Sequence, residues 1–370
     1  MSKPVILIGA GCPQALANYL CSLGIPVLVT WQGIDRVAED SLVFCGRPGV
    51  IGQRAANIIQ QKADVIYIFG ARMDMEQVNH KYENFAPQAI KHVYDIDLAE
   101  LNKFPKDWIT HQQELSWHFP DGTFENMKVN WQWLAWCKAL YGRFRPELDG
   151  TSAVEDFVDP YYFINRLSST CEEGEVIVPG SSGMQSCALM QAFRVKRRQK
   201  ILLCNTAGAM GLEPMAIGAA LATGQRVICV TGDGGFMLNF QELEVVKRLD
   251  LNIKYFIFYN GGYGSITTMQ DARFNLRVGS DIQSGFTVPD LSRIAAVWSM
   301  PYHEINSNAQ MDTIGKVINS DHAAIVRVNT SLAFRYACKV QSSLKDGVFV
   351  NDAMEDMTPK ISDLVEIMSA

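Results

Sequence analysis

Short, continuous apolar runs alternate with helical patterns along the first hundred residues. Val5–Ile8 reads as a buried strand, Pro13–Leu23 as a helix and Val27–Thr30 as a second strand, and Val65–Phe69 and Ile90–Ile96 repeat the strand pattern. Runs that are apolar and β-branched throughout, rather than alternating, predict parallel strands covered on both faces. The alternation fades after about Phe104. Residues 105–160 are rich in tryptophan (Trp108, Trp117, Trp131, Trp133, Trp136), with breaks at Pro120-Asp121-Gly122 and from Pro146 to Gly150. A helix is predicted over Pro160–Cys171, followed by a second strand series at Glu175–Val178, Ile201–Cys204, Val227–Thr231, Ile253–Tyr259 and Ala323–Val328. The pattern predicts an α/β protein of two doubly wound parallel-sheet domains joined by a Trp-rich linker, over residues 1–130 and 131–370.

A length of 370 residues agrees with two domains, and 48% apolar against 19% charged residues excludes a disordered chain. The formal charge is −6 and the longest basic run is Lys196-Arg197-Arg198, so no phosphate-neutralising patch for nucleic acid is expected. Nine cysteines form no C-x-x-C pair and mostly sit in apolar runs, as Cys229 does, which reads as reduced core thiols of a cytoplasmic protein. The six histidines lack metal-ligand spacing. No apolar run approaches the roughly 18 residues of a membrane span, and the first strand is too short for a signal sequence.

The chemistry concentrates between Val227 and Ile266. The strand Val227–Thr231 runs into Gly232-Asp233-Gly234-Gly235, and Asn239-Phe240-Gln241-Glu242 has the N-x-x-E form of a capping box opening a helix. The strand Ile253–Tyr259 then ends in Asn260-Gly261-Gly262-Tyr263-Gly264. One strand–helix–strand unit separates Asp233 from Asn260. That spacing puts both just beyond the carboxyl ends of adjacent strands, where open α/β sheets bind ligands. A carboxylate, an amide oxygen and a loop carbonyl suit a hard divalent cation that completes its shell with phosphate and water oxygens. The glycines let backbone N–H groups approach those phosphates. An ordinary βα turn remains the plain alternative.

Gly232-Asp233-Gly234 followed by Asn260 resembles the metal–diphosphate motif of thiamine-diphosphate-dependent enzymes. The resemblance implies Mg²⁺ held by Asp233, the Asn260 side chain and the Gly262 carbonyl, with Gly234, Gly235, Tyr263 and Gly264 beside the diphosphate. Ala207-Gly208-Ala209-Met210-Gly211 resembles the loop under the aminopyrimidine, which implies a Gly208 carbonyl for the amino group and Met210 as the apolar wedge that keeps the cofactor bent. Core packing is the alternative for Met210. Pro179-Gly180-Ser181-Ser182-Gly183 resembles the second diphosphate loop, with Ser181 and Ser182 as donors, or else is a solvated turn.

The likeness extends to the acetolactate synthase branch. Gly46-Arg47-Pro48-Gly49 through Asn57, Gly70-Ala71-Arg72-Met73-Asp74, Tyr82-Glu83-Asn84-Phe85-Ala86 and Asp95-Ile96-Asp97 resemble its central domain. Asn260 to Gln270, Gly279-Ser280-Asp281 and Leu291 resemble its cofactor domain. Trp31-Gln32-Gly33-Ile34-Asp35 and Gly262-Tyr263-Gly264-Ser265-Ile266 resemble relatives from polysaccharide or nucleotide-sugar pathways. Such enzymes also contain a pyrimidine-binding unit whose glutamate activates the cofactor. Glu39, Glu76 and Glu83 lie instead in segments that resemble the central domain. The expectation is a split enzyme, completed by a separate pyrimidine-binding subunit of about 150–200 residues, a usual single-domain size, in a dimer of hetero-pairs.

The resemblance also implies an FAD site around Gly9-Ala10-Gly11, Arg72, Asp74 and Asp95. Glu76 stands where a second arginine is expected, so bound FAD and no FAD both stay open. The implied reaction is decarboxylation of a 2-keto acid such as pyruvate and transfer of the acyl unit to a small-molecule carbonyl acceptor. Related decarboxylases often carry a glutamate just after the Gly-Tyr loop. Ile266-Thr267 occupies that place here and favours carboligation. Ile266, Thr267, Gln270 and Arg273 are the candidates for lining the acceptor pocket, with a solvated helix face as the alternative for Gln270 and Arg273. A decarboxylase, a non-catalytic subunit derived from such an enzyme and, last, a nicotinamide dehydrogenase are the other readings. The segment from Gly347 to Pro359 is expected either as a docked tail or as a lid over the site.

Overall fold

The computed structural model describes residues 2–116, 124, 129–146, 154, 156–181, 183–203, 210–345 and 348–369. The chain divides into two compact units, residues 1–150 with 337–370, and residues 151–336.

The first unit is built on a five-stranded parallel sheet of β1 (Pro4–Ile8), β2 (Val27–Val29), β3 (Val65–Phe69), β4 (Ile90–Asp95) and β5 (Ile109–Gln112), in the order β2-β1-β3-β4-β5. The uniformly apolar strands β1 and β2 are buried at every position, as parallel strands covered on both faces must be. Gly9 at the end of β1 packs against the turn after β3, where a side chain would come 2.3 Å from the Gly70 carbonyl oxygen.

Two features of this unit differ from the expected division. The Trp-rich stretch supplies the helix Trp131–Arg143, whose Trp133 indole is buried and donates to the Pro4 carbonyl at 3.0 Å. The C-terminal segment also belongs here rather than with the second domain. The helix Arg54–Lys62 is buried from residue 54 through 61, with the helix Trp131–Arg143 and the C-terminal segment packed against it. Arg54 donates to the carbonyls of Met357 and Pro359, and Asn57 to that of Met354. Met354 and Met357 are fully buried, so this part of the segment is a docked tail and not a lid. A hairpin of β12 (Ser342–Lys345) and β13 (Val348–Asn351) precedes it.

The second unit carries a six-stranded parallel sheet of β6 (Val176–Pro179), β7 (Lys200–Ile201), β8 (Val227–Gly232), β9 (Ile253–Tyr259), β10 (Tyr302–Ile305) and β11 (Ala324–Asn329). Its order is β10-β11-β9-β8-β6-β7. From β6 the chain moves to one side, to β7, while β8 lies on the other side of β6. The turns after β6 and β8 therefore diverge, and that divergence opens a crevice at the carboxyl ends of the strands. Both sheets are parallel and both units are α/β, as the periodicity predicts.

Candidate cofactor site

Strand β8 is buried along its apolar run and delivers Asp233 to the start of a single helical turn, Asp233–Phe236. The turn is anchored from below by Phe236, buried edge-on against Tyr255 of β9. Asp233 is 1% exposed. Its Oδ1 accepts from the Gly234 N–H at 2.7 Å, and its Oδ2 accepts from the N–H groups of Asn260 at 3.0 Å and Gly261 at 2.7 Å. One carboxylate thus ties the turn after β8 to the turn after β9, and the Asn260 side-chain oxygen in turn accepts from the Gly262 N–H at 3.0 Å.

Burial pushes the Asp233 carboxyl up to about 6, against the backbone donors of Gly261, Asn260, Gly234 and Asp233 itself that pull it down. Among the described residues no cationic side chain pairs with it. A desolvated carboxylate without a counter-charge, beside an amide oxygen and a loop backbone, is a donor set that a divalent cation would complete. Among the described residues no cluster of three His, Cys, Asp or Glu side chains could hold a metal by itself, so the remaining ligands would come from elsewhere.

The surroundings are braced. The Tyr263 ring packs on Gly234, where a side chain would come 2.3 Å from it, and lies 4.5 Å from Phe286. Gly262 pairs with Asp281, and the Tyr263 N–H donates to the Ser280 carbonyl at 2.9 Å. Arg277 clamps Asp271 and Asp281, and hydrogen bonds from Ser284 and then Arg277 hold the Asp281 carboxyl down at about 2. Asn239 does not cap a helix. Its amide donates to the Gly211 carbonyl at 2.7 Å and a 3-10 turn follows, so the capping-box pattern serves instead to tie down the Met210 loop.

Asp233, Gly234, Gly235, Asn260, Gly262, Tyr263 and Gly264 are brought together, and Ser181 adjoins them, its Cβ 3.4 Å from where a Gly235 side chain would begin. Ser182 and Gly208 lie outside the described residues. Met210 is 39% exposed, which does not fit core packing. On the helix Gly264–Phe274, Ile266 is half-buried and the Thr267 hydroxyl donates to the Gly264 carbonyl. The Gln270 amide bridges to Val278 through both of its ends and accepts from the Ser280 hydroxyl, and Arg273 is exposed. In the first unit Arg72 is exposed and sits 3.8 Å from Glu100, and Asp95 accepts from the Asp97 N–H.

Glu213 has no counterpart in the sequence reading. It is buried between the turns after β6 and β8, accepts from the Thr231 hydroxyl, and is pushed up to about 7 by burial. Its one sequence signal was an isolated carboxylate between Leu212 and Pro214 in an otherwise apolar stretch.

The family model described as the thiamine pyrophosphate enzyme central domain matches residues 1–111, and the C-terminal TPP binding domain matches residues 181–328. The chain is 27% identical over 335 residues to the acetolactate synthase isozyme 2 large subunit of Escherichia coli, covering 88% of this chain and 60% of that protein. It is 29% identical over 324 residues to the chloroplastic acetolactate synthase 2 of Zea mays (84% and 50%), and 27% identical over 330 residues to the chloroplastic acetolactate synthase of Arabidopsis thaliana (84% and 48%). It therefore spans about half to three-fifths of the length of these relatives. The turn tied down by Asp233 and the strands around it lie within the matched cofactor-binding domain, and the chain belongs to the thiamine pyrophosphate-dependent enzyme family, in its acetolactate synthase-like part.

Proposed function

We propose that this chain is the large, diphosphate-gripping subunit of a split acetolactate synthase-like carboligase. With a separate pyrimidine-binding subunit that carries the activating glutamate, it decarboxylates a 2-keto acid, pyruvate in the simplest case, and transfers the acyl unit to a carbonyl acceptor. The observation that carries the reading is the buried Asp233 carboxylate joined to the Asn260–Gly261 backbone across adjacent strand ends, beside the crevice where the chain reverses direction.

Asp233, the Asn260 side chain and the Gly262 carbonyl would hold Mg²⁺, with Ser181 and the glycine turns offering hydrogen bonds to the diphosphate. Thiamine diphosphate, when bound, supplies the electron sink for loss of carbon dioxide from the 2-keto acid. Met210, exposed next to the turn at Gly211, supports the role of apolar wedge. Ile266 and Thr267 offer no acid at the start of the following helix, which favours a carbonyl acceptor over a proton. Gln270 and Thr267 act by bracing that helix and its loop. The exposed Arg273 guanidinium suits an acceptor with a carboxylate or phosphate, a nucleotide-linked sugar among them. FAD is not part of this reading, since close backbone packing against Gly70 accounts for Gly9.

A second polypeptide over the site is supported by its apolar rim. Met210, Leu238 and Ile282 are 39%, 50% and 66% exposed. Leu238 and Ile282 flank Gly211 and Gly261, the glycines of two of the site's turns. Exposed apolar area rimmed by polar residues marks interaction surfaces. Among the described residues no helix is long and apolar enough to cross a membrane, and seven of the eight described cysteines are buried, which supports a reducing, cytoplasmic setting.

Reconstitution tests the proposal. Mixing the chain with its pyrimidine-binding partner, Mg²⁺, thiamine diphosphate and pyruvate is expected to give turnover that neither chain gives alone. Full turnover by this chain alone would overturn the split arrangement. Mg²⁺-dependent cofactor binding without turnover in the reconstituted pair would favour a non-catalytic subunit.

A further inference from the structure

We propose that Glu213, acting through Thr231 and the Gly180 and Gly235 turns, is a positioning residue of the diphosphate site that works as the neutral acid. This rests on thiamine diphosphate binding as read above.

The geometry places the carboxyl group between the two turns that receive the diphosphate. A side chain at Gly180 would begin 2.9 Å from Glu213 Oε1 and 2.8 Å from Thr231 Oγ1, and one at Gly235 would begin 3.4 Å and 3.3 Å from the same atoms. Nothing bulkier than glycine fits between the carboxyl group and the Gly180 backbone. The Leu212 N–H donates to the Gly180 carbonyl at 2.8 Å, so the residue before Glu213 is itself tied to the turn after β6. Glu213 is 4% exposed. Its Oε1 accepts from Thr231, and among the described residues its buried Oε2 has no hydrogen-bond partner.

An ionised carboxylate here would be desolvated, would leave Oε2 unpaired and would face a polyanion across one layer of backbone. The neutral acid avoids the desolvated charge and the repulsion, and turns Oε2 into a hydrogen-bond donor. Burial already raises the group to about 7 in the free protein, and a bound diphosphate raises it further, so binding draws a proton onto Glu213 as the pH climbs above 7. The titratable groups facing Glu213 are the Cys229 thiol on β8 and the Tyr255 phenol on β9, with Glu242 next beyond Tyr255. Burial raises Cys229 and Tyr255 well above their usual values, so both stay neutral in this window. Asp233 and the cofactor's own phosphate also titrate near neutrality, and comparison with a variant at position 213 alone cancels them.

The test is calorimetric titration of thiamine diphosphate into the full chain in saturating Mg²⁺ between pH 6.5 and 8.5. Wild-type affinity is expected to fall about tenfold more over that range than the affinity of Glu213→Gln, which keeps the low-pH affinity. Parallel profiles, or loss of binding by Glu213→Gln at every pH, would overturn the proposal. Should Glu213→Gln fail to fold, Thr231→Val decides. Without the hydroxyl that lowers the acid, its affinity transition moves to higher pH, and an unmoved transition overturns the inference. A wild-type chain that binds no cofactor at any pH refutes the thiamine diphosphate reading itself, a distinct outcome.

Discussion

Gly180→Ala isolates the packing that shapes the diphosphate site. The added methyl would stand 2.7 Å from Thr231 Cβ and 2.9 Å from Glu213 Oε1. Carbon atoms in contact normally lie about 3.5 Å or more apart, so something must move by roughly 0.8 Å. Thr231 cannot, because β8 is hydrogen-bonded on both sides, to β6 and to β9. The turn after β6 must therefore shift outward, into the space where the phosphates bind. Overpacking of this kind costs about 1–3 kcal/mol. Falling mainly on the bound state, it weakens thiamine diphosphate binding by roughly 5- to 150-fold. The control is Gly218→Ala on the exposed face of the helix Pro214–Thr223, where a new Cβ meets nothing within 4 Å. That change should stabilise the fold by about 0.5–1 kcal/mol and leave affinity alone. Calorimetric titration in Mg²⁺, with thermal melts of the cofactor-free proteins, reads both quantities. A folded Gly180→Ala variant that binds within about twofold of wild type would refute the packing argument, since that is under 0.5 kcal/mol.

In the first unit, Asn57 is fully buried, accepts from the Gly49 N–H and donates to the carbonyls of Gly49 and Met354. Asn57→Ala leaves those groups unpaired and should cost about 3 kcal/mol or more by urea unfolding, and a cost under about 1 kcal/mol would contradict its role in docking the tail. Glu213 rises from 4.5 to about 7 on folding, so the folded state binds more protons than the unfolded state between those values. For this group stability should therefore fall as pH rises through that window and level off above it, by up to roughly 3 kcal/mol, and Glu213→Gln should lose that share while keeping the fall that Asp233, raised to about 6, contributes at lower pH. Ile282→Lys puts a charge on the exposed apolar rim. Sedimentation should show lost association with the pyrimidine-binding subunit and an unchanged fold, and undiminished association would move the interface elsewhere.

The parallel strands were legible because burial on both faces requires unbroken apolar runs. Val65–Phe69 and Ile253–Tyr259 match their predicted bounds, and most others shift by one or two residues. The edge strands Ile109–Gln112 and Tyr302–Ile305 were not legible, because a strand with one neighbour and mostly solvent-facing side chains carries a polar sequence. The return of residues 337–370 to the first unit left no periodic signal either, since it rests on scattered apolar anchors such as Met354 and Met357 and on single polar side chains such as Arg54 and Asn57 reaching backbone carbonyls. At the site, Asp233 and Asn260 were legible through their spacing, which one strand–helix–strand unit fixes. Glu213 was not, because its meaning depends on which turns close around it. The capping-box pattern at Asn239 misled because tertiary contact with Gly211 outcompetes the local cap.

The grip on the diphosphate through a divalent ion is measured most directly by titrating thiamine diphosphate into wild type and Asp233→Ala, each with Mg²⁺ and with chelator. Tight binding by wild type in Mg²⁺ alone, lost in chelator and in the variant under both conditions, is the predicted result. Equal binding by the two proteins, or binding indifferent to the metal, would contradict it.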